Sequence, residues 1–264
     1  MSSGAASIDC LSVPDRWLDS PIRVCVIGAG GTGGEVLDQL CRLHMTLCAL
    51  DHPGGLQVAC FDGDDVSASN IGRQRFGRSD IGQNKAVTLV NRINLFYGLT
   101  WSAVPFHWSK DEMASSCDLL ITAVDSAAVR QEIAAHHGGQ CLWLDFGNGA
   151  SSGQAILGEL GKRVGRIPHV IDLFPDMADD PNDGPSCSVA EAIRSQGFGV
   201  NAALVTSAMG SLLWPLLRKG KLTIHGLFMD LDRGHINSLP VDPAQWALFG
   251  YEPAEPSSEA PLPW

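Results

Sequence analysis

The residues best suited to chemistry in this sequence lie in its first half. The run Gly28-Ala-Gly-Gly-Thr-Gly-Gly34 contains Gly28-x-Gly30-x-x-Gly33, with Gly31 between them. Glycines at this spacing let backbone approach an anionic group closely, and a helix starting there turns its free amides toward phosphate oxygens. The competing reading is a tight turn in a fold that binds no nucleotide. Asp62 ends the next apolar run, where a carboxylate can accept both hydroxyls of a ribose or serve as an ordinary turn residue. Nicotinamide-dependent oxidoreductases place that acid about 20 residues beyond the glycines; here it lies 29 positions past Gly33. The stretch from Asp62 through Asp64, Asn70, Arg73 and Gln74, followed by Gly82-Gln-Asn-Lys85, then adds an Asn, an Arg and a Lys. Hydride transfer has no need of these groups beside a ribose, whereas attack on a triphosphate must offset dense negative charge. Asp125 closes the apolar run Leu119 to Val124 and by itself reads as a strand-end turn. Arg73, Arg75, Arg78 and Lys85 concentrate positive charge in this one segment.

These residues need a scaffold, and the apolar pattern supplies one. Ile22 to Ile27 reads as a strand feeding through the glycines into a helix, since from Glu35 onward Val36, Leu37, Leu40, Leu43 and Leu47 recur mainly at spacings of three and four. Leu56 to Phe61 reads as a second strand, 63–81 as a long loop, and Gln83 to Tyr97 as a helix. Strands near Trp101 to Pro105, Leu119 to Val124 and Cys141 to Phe146 follow, with a helix from Ala127 to His136 before the last. Strands alternating with helices predict a doubly wound, Rossmann-like α/β domain, mainly parallel, with helices on both faces. Beyond it come a strand from Ser152 to Leu160, an acidic loop from Pro168 to Pro185 that is either disordered or functional, and a helix from Cys187 to Ser195. An apolar helix from Asn201 to Leu217 and a hairpin around Asp232-Arg-Gly234 complete the pattern. The expected organisation is an N-terminal segment 1–20, one domain 21–251 with a nucleotide-binding half 21–150 and a partner-binding half 151–251, and a loose tail 252–264.

Composition narrows the classes. The 264 residues carry a net charge of −11, which disfavours a nucleic-acid binder. No run is long and apolar enough to mark a membrane span, and no basic-then-apolar start marks export, so the expectation is a cytoplasmic protein with reduced thiols. Eight cysteines, at 10, 25, 41, 48, 60, 117, 141 and 187, include no pair at the two-residue gap of a zinc knuckle, so no structural zinc is expected. Cys25, Cys60 and Cys141 read as core packing. Cys41, His44 and Cys48 share a helix face, a metal clamp in principle and packing more simply. Trp143, Trp214 and Trp246 read as core or interface anchors.

The glycine loop, Asp62-x-Asp64, Ser69-Asn70-x-x-Arg73-Gln74, Gly82-x-x-Lys85 and the strand-end Asp125 stand in one order over about residues 22 to 125. In this the chain resembles the ThiF/MoeB/ubiquitin-activating (E1-like) adenylation family. The resemblance implies that Asp62 binds the ribose of ATP with Asp64 close by, that Asn70, Arg73 and Lys85 hold the triphosphate, that Gln74 supports Arg73, and that Asp125 holds Mg2+. Pro185-Ser-Cys-Ser-Val-Ala-Glu-Ala192, Asn201 and Gly226-Leu-Phe-Met-Asp230 also resemble a narrower group, the ThiF-type proteins of PRTRC cassettes. That group implies a small ubiquitin-like (β-grasp) partner and a JAB-type metalloprotease in the same pathway. Cys187, beside a predicted helix start that would favour its thiolate, is either an acceptor for the activated carboxylate or an inert thiol. The family also implies a homodimer and, in many members, an N-terminal arginine reaching the neighbouring subunit's phosphates; only Arg16 is available for that here.

Overall fold

The computed structural model describes residues 8–109, 117–135, 141–161, 166–179 and 198–253. Central among its parallel strands is Ile22–Ile27 (β2), where Ile22, Val24, Val26 and Ile27 are buried because the strand is covered on both faces. Parallel to it on one side run Leu56–Phe61 (β3) and Ser102–Val104 (β4), and on the other Leu119–Thr122 (β5) and Cys141–Asn148 (β6). Ser152–Leu160 (β7), Ile224–Asp230 (β9) and His235–Pro240 (β10) extend this sheet antiparallel from β6, giving the order β10-β9-β7-β6-β5-β2-β3-β4. A separate two-residue pairing joins Leu11–Ser12 (β1) to Lys221–Leu222 (β8), so buried Leu11 ties the N-terminal segment, with its single turn Arg16–Asp19 (α1), to the far end of the chain.

Strand order reverses at β2: the chain first steps outward through β3 and β4, then returns to the other side at β5. Right-handed crossovers therefore send the helices to opposite faces. Gly31–Ala49 (α2) packs against Lys85–Tyr97 (α3), while Ala127–Ala135 (α4) packs against the single turn Val170–Leu173 (α5). The helix α2 begins at Gly31, inside the glycine run rather than at Glu35 as the apolar spacing predicts, because small residues let the first turn lie on the strand. Asn84 Oδ1 accepts the Val87 amide at 3.0 Å and starts α3 at Lys85; Gly98, at φ 68°, ends it. Within the acidic loop His169 caps α5 and Asp172 pairs with Arg166; residues 180–185, and the expected helix from Cys187 to Ser195, lie outside the described residues.

The apolar helix Val200–Lys219 (α6) is the one helix among the described residues with the length and composition to cross a membrane. Its Leu204, Val205, Ala208, Leu212 and Leu216 are buried, and it packs on β7 and α2 as a core helix does. Over Met209–Leu213 it widens into a π turn, in which Trp214 donates to the Met209 carbonyl five residues back. Pro215 follows directly; its ring would collide with a carbonyl four residues earlier in a regular α-helix, and the wide turn relieves that contact.

Trp143 and Trp246 are fully buried, as anchors should be, whereas Trp214 is half-buried. Trp246 Nε1 donates to His225 Nε2 at 2.8 Å, and His225 Nδ1 donates to the Leu157 carbonyl at 3.0 Å. Because an indole can only donate, Nε2 must be unprotonated, so burial holds His225 neutral with its pKa pushed down to about 4. The unfolded chain then takes up a proton near pH 6.5 that the native chain refuses until about pH 4. Stability should therefore fall as pH drops through this window, by up to about 1.4 kcal/mol per pH unit from this group. Urea unfolding at pH 6.5 and 5 measures it, and the His225→Gln variant should lose that part of the slope.

Candidate functional site

The glycine loop joins β2 to α2, and its glycines divide the work. Gly28 has φ 96°, and a Cβ there would lie 2.5 Å from the Ala123 carbonyl oxygen; at Gly33 a Cβ would lie 1.9 Å from the Gly28 oxygen. Both positions therefore serve close backbone packing, and Gly33 does not face the cavity. Gly30 and Gly31 do line it. Asp62, at the end of β3, holds the loop: its Oδ2 accepts the Ala29 amide at 2.6 Å while its Oδ1 accepts the Asp64 amide at 2.8 Å.

A cavity of about 340 Å³ opens at the carboxyl ends of β2, β3 and β5, where the strand order reverses and open α/β sheets hold ligands. Gly28, Gly30, Gly31, Asp62, Asp64, Arg73, Gln74, Lys85 and Asp125 all line it, although they span nearly a hundred positions. Asn84 sets part of this arrangement: its Nδ2 donates to the carbonyls of Asp62 and Asp64, placing Lys85 beside them. The Lys85 ammonium, mostly buried, donates to Asp64 Oδ2 at 2.8 Å. Burial lowers the Arg73 pKa, opposed by the negative charge of Asp125 across the cavity. A guanidinium stays protonated through any such shift, so the cavity holds a partly desolvated positive charge.

The residues present fit a nucleoside triphosphate. Gly30 leaves room for backbone to approach, two cations face the space, and Gln74 Oε1 on its wall is buried without a hydrogen-bond partner. Asn201, from α6, lies against the same loop, with its Nδ2 2.4 Å from where a Gly31 Cβ would stand and its Oδ1 likewise buried and unsatisfied.

The structure places several of the expected residues away from the cavity. Asn70 does not line the cavity; its Oδ1 accepts the Ser67 amide at 2.8 Å and the Ser67 hydroxyl, closing the 3-10 turn Ala68–Asn70. An Asn beside a loop serves capping as readily as ligand binding, and here its Oδ1 does the capping. Asn70 still places Gln74, whose amide donates to its carbonyl. Arg75 pairs with Glu35 and Asp38 of α2, and Arg78 is exposed, so neither lines the cavity. Arg16 pairs with Asp118 just before β5, at the amino edge of the sheet and away from the cavity. Cys187 lies outside the described residues. His44 Nδ1 accepts the Leu56 amide at 3.0 Å, which favours packing over a metal clamp with Cys41 and Cys48.

The sequence reading also missed wall residues. Thr32 donates to Asn148 Oδ1 at 3.0 Å, joining the start of α2 to the end of β6, and Phe61, His107 and Trp108 enclose the far side. Asn148 was findable in principle, since carboxyl ends of parallel strands converge on the crevice. Its strand runs two residues past the predicted end.

Similar folds are known. The structure of PaaA superposes with a TM-score of 0.57 at 13% identity, covering 83% of this chain and 64% of that one. E. coli MccB bound to AMPCPP and MccA gives 0.58 at 14% identity, and MccB bound to ATP gives 0.55 at 15%, each covering 86% of this chain and 65% of MccB. The chain thus spans just under two thirds of the length of these proteins. No curated protein sequence matches it. The ThiF family model matches residues 14–241, so the chain belongs to the ThiF family.

Proposed function

We propose that this protein uses ATP to adenylate the C-terminal carboxylate of a small ubiquitin-like (β-grasp) or sulfur-carrier protein, releasing pyrophosphate. The observation that carries the proposal is the convergence of Gly30, Gly31, Asp62, Arg73, Lys85 and Asp125 on one cavity. MccB, which shares the fold, has been solved with ATP and with MccA, which supports an ATP-consuming reaction on a peptide or protein substrate. The attacking carboxylate is already ionised at neutral pH. Its oxygen forms a bond to the α-phosphorus while the bond to the bridging oxygen breaks, and the electron pair leaves with pyrophosphate. No base is needed; the demand is for positive charge where the phosphates crowd.

In this reading Asp62 accepts the ribose hydroxyls while holding the loop, the Gly30 and Gly31 backbone faces the phosphates, and Arg73 and Lys85 offset their charge. Lys85 must exchange Asp64 for a phosphate oxygen as the nucleotide enters. Asp125 fits Mg2+, which needs only one or two protein carboxylates beside phosphate oxygens and supplies further neutralisation. The proposal extends to a cytoplasmic homodimer of the PRTRC type, with a JAB-type protease in its pathway and Cys187 as a candidate acceptor for the activated end.

The test is exchange of labelled pyrophosphate into ATP in the presence of candidate β-grasp proteins. Exchange should require the partner's free C-terminus, and ATP rather than NAD should stabilise the protein, by about 2.7 kcal/mol at a hundred times its Kd. Stabilisation by ATP with no exchange on any candidate carboxylate would leave a non-catalytic nucleotide-binding scaffold; stabilisation by NAD alone would indicate an oxidoreductase. A thiol-sensitive adduct that persists in Cys187→Ser would remove Cys187 from the scheme.

A further inference from the structure

At the amino edge of the sheet, opposite the cavity, two thiols touch. Cys117 stands two residues before β5 and Cys141 opens β6, and their Sγ atoms are 3.2 Å apart, closer than sulfurs in ordinary contact. Both are free, and neither residue is fully buried. The adjoining Asp118 binds the Arg23 guanidinium, so Cys117 has both charges beside it: the carboxylate opposes its thiolate and the guanidinium favours it. The two thiols are also unlike. The contact with Cys141 lowers the Cys117 pKa against burial and the charge of Asp118, with Arg23 assisting, whereas the same contact and burial push Cys141 up. Among the other described cysteines, Cys25, Cys41 and Cys60 are raised by burial, which leaves them poor nucleophiles.

We propose that Cys117 and Cys141 are a redox-active dithiol that forms a reversible disulfide across β5 and β6. The oxidant is a low-molecular-weight disulfide such as glutathione disulfide. The Cys117 thiolate attacks one of its sulfurs, forming a mixed disulfide and releasing one glutathione thiolate. Cys141 then loses its proton to solvent and attacks the Cys117 sulfur, forming the Cys117–Cys141 bond and expelling the second glutathione. Two protein thiols are oxidised and one disulfide is reduced to two thiols. The bond closes a 24-position interval that contains Asp125 and α4, fixing the starts of the two strands whose far ends reach the cavity. Such a bond in a reducing compartment is transient, the behaviour of a sensor rather than a staple.

The experiment incubates the folded, full-length protein with glutathione disulfide, blocks remaining thiols with a maleimide, and reads intact mass and peptide maps. The expected result is two fewer alkylated thiols, a linked Cys117–Cys141 peptide, and a Tm raised by roughly 5–10 °C that dithiothreitol reverses. Cys141→Ser should instead trap one glutathione on Cys117. Full alkylation of both thiols after oxidation, a disulfide from either to another cysteine, or a glutathione adduct that persists on Cys117 or Cys141 in the unmutated chain would overturn the proposal.

Discussion

Arg73→Ala should lower partner-dependent pyrophosphate exchange by about a thousandfold or more while leaving the protein folded. The side chain is half-buried on a loop, so its loss removes little packing. What it removes is a guanidinium held partly out of water and facing the carboxylate of Asp125 in the same cavity. Positive charge in such a setting acts on developing negative charge far more strongly than a solvated cation does, and it needs no reorganisation at the moment of reaction. The loss should persist at saturating ATP, because the charge matters most as pyrophosphate departs. Arg73→Lys should recover only part of it, since a point charge cannot replace a planar fork. Exchange within tenfold of the parent, in a variant with unchanged unfolding midpoint, would show that Arg73 does not stabilise the leaving group.

Two adjacent glycines should respond to alanine with opposite signs. At Gly33 a Cβ would lie 1.9 Å from the Gly28 oxygen, a backbone atom that cannot rotate away. Gly33→Ala must therefore push α2 off β2 or break the turn, at an expected cost of about 3 kcal/mol or more, together with loss of ATP binding. At Gly34 the nearest atom is Leu89 Cδ1 at 3.5 Å, an ordinary contact. Gly34→Ala should be neutral or stabilising by up to about 1 kcal/mol, because glycine is the weaker helix former. Urea unfolding of the two variants gives the comparison; equal effects would refute this division of roles.

That contrast also shows what the sequence could reveal. Spacing exposed the loop at Gly28, Gly30 and Gly33, but not which glycines pack and which face the cavity, because that depends on Ala123, far along the chain. The strand bounds of β7 and the closing hairpin were legible, since alternation and turn residues are local signals. The pairing of β1 with β8 was not: a two-residue strand carries no period, and its partner lies about 210 positions away. Asn70 and Arg75 illustrate another limit. Their types suit phosphate binding, yet Asn70 Oδ1 closes its own turn and Arg75 pairs with carboxylates of α2, so the fold sets both side chains off the cavity wall. Thr32 and Asn148 meet across 116 positions, a contact that only the fold creates.

The widened turn at Met209–Leu213 gives α6 one residue more than a regular helix of its span would need. A helix with such a turn has slack in its count. Gain or loss of a single residue there can be absorbed by opening or closing the turn, without rotating either flank out of phase. Leu204 and Val205 before it and Leu212 and Leu216 after it could then keep their places on the sheet. This segment is thus a point where chain length can drift between related sequences while the two ends of the helix, with Asn201 at one and β8 at the other, stay in register with the body they join.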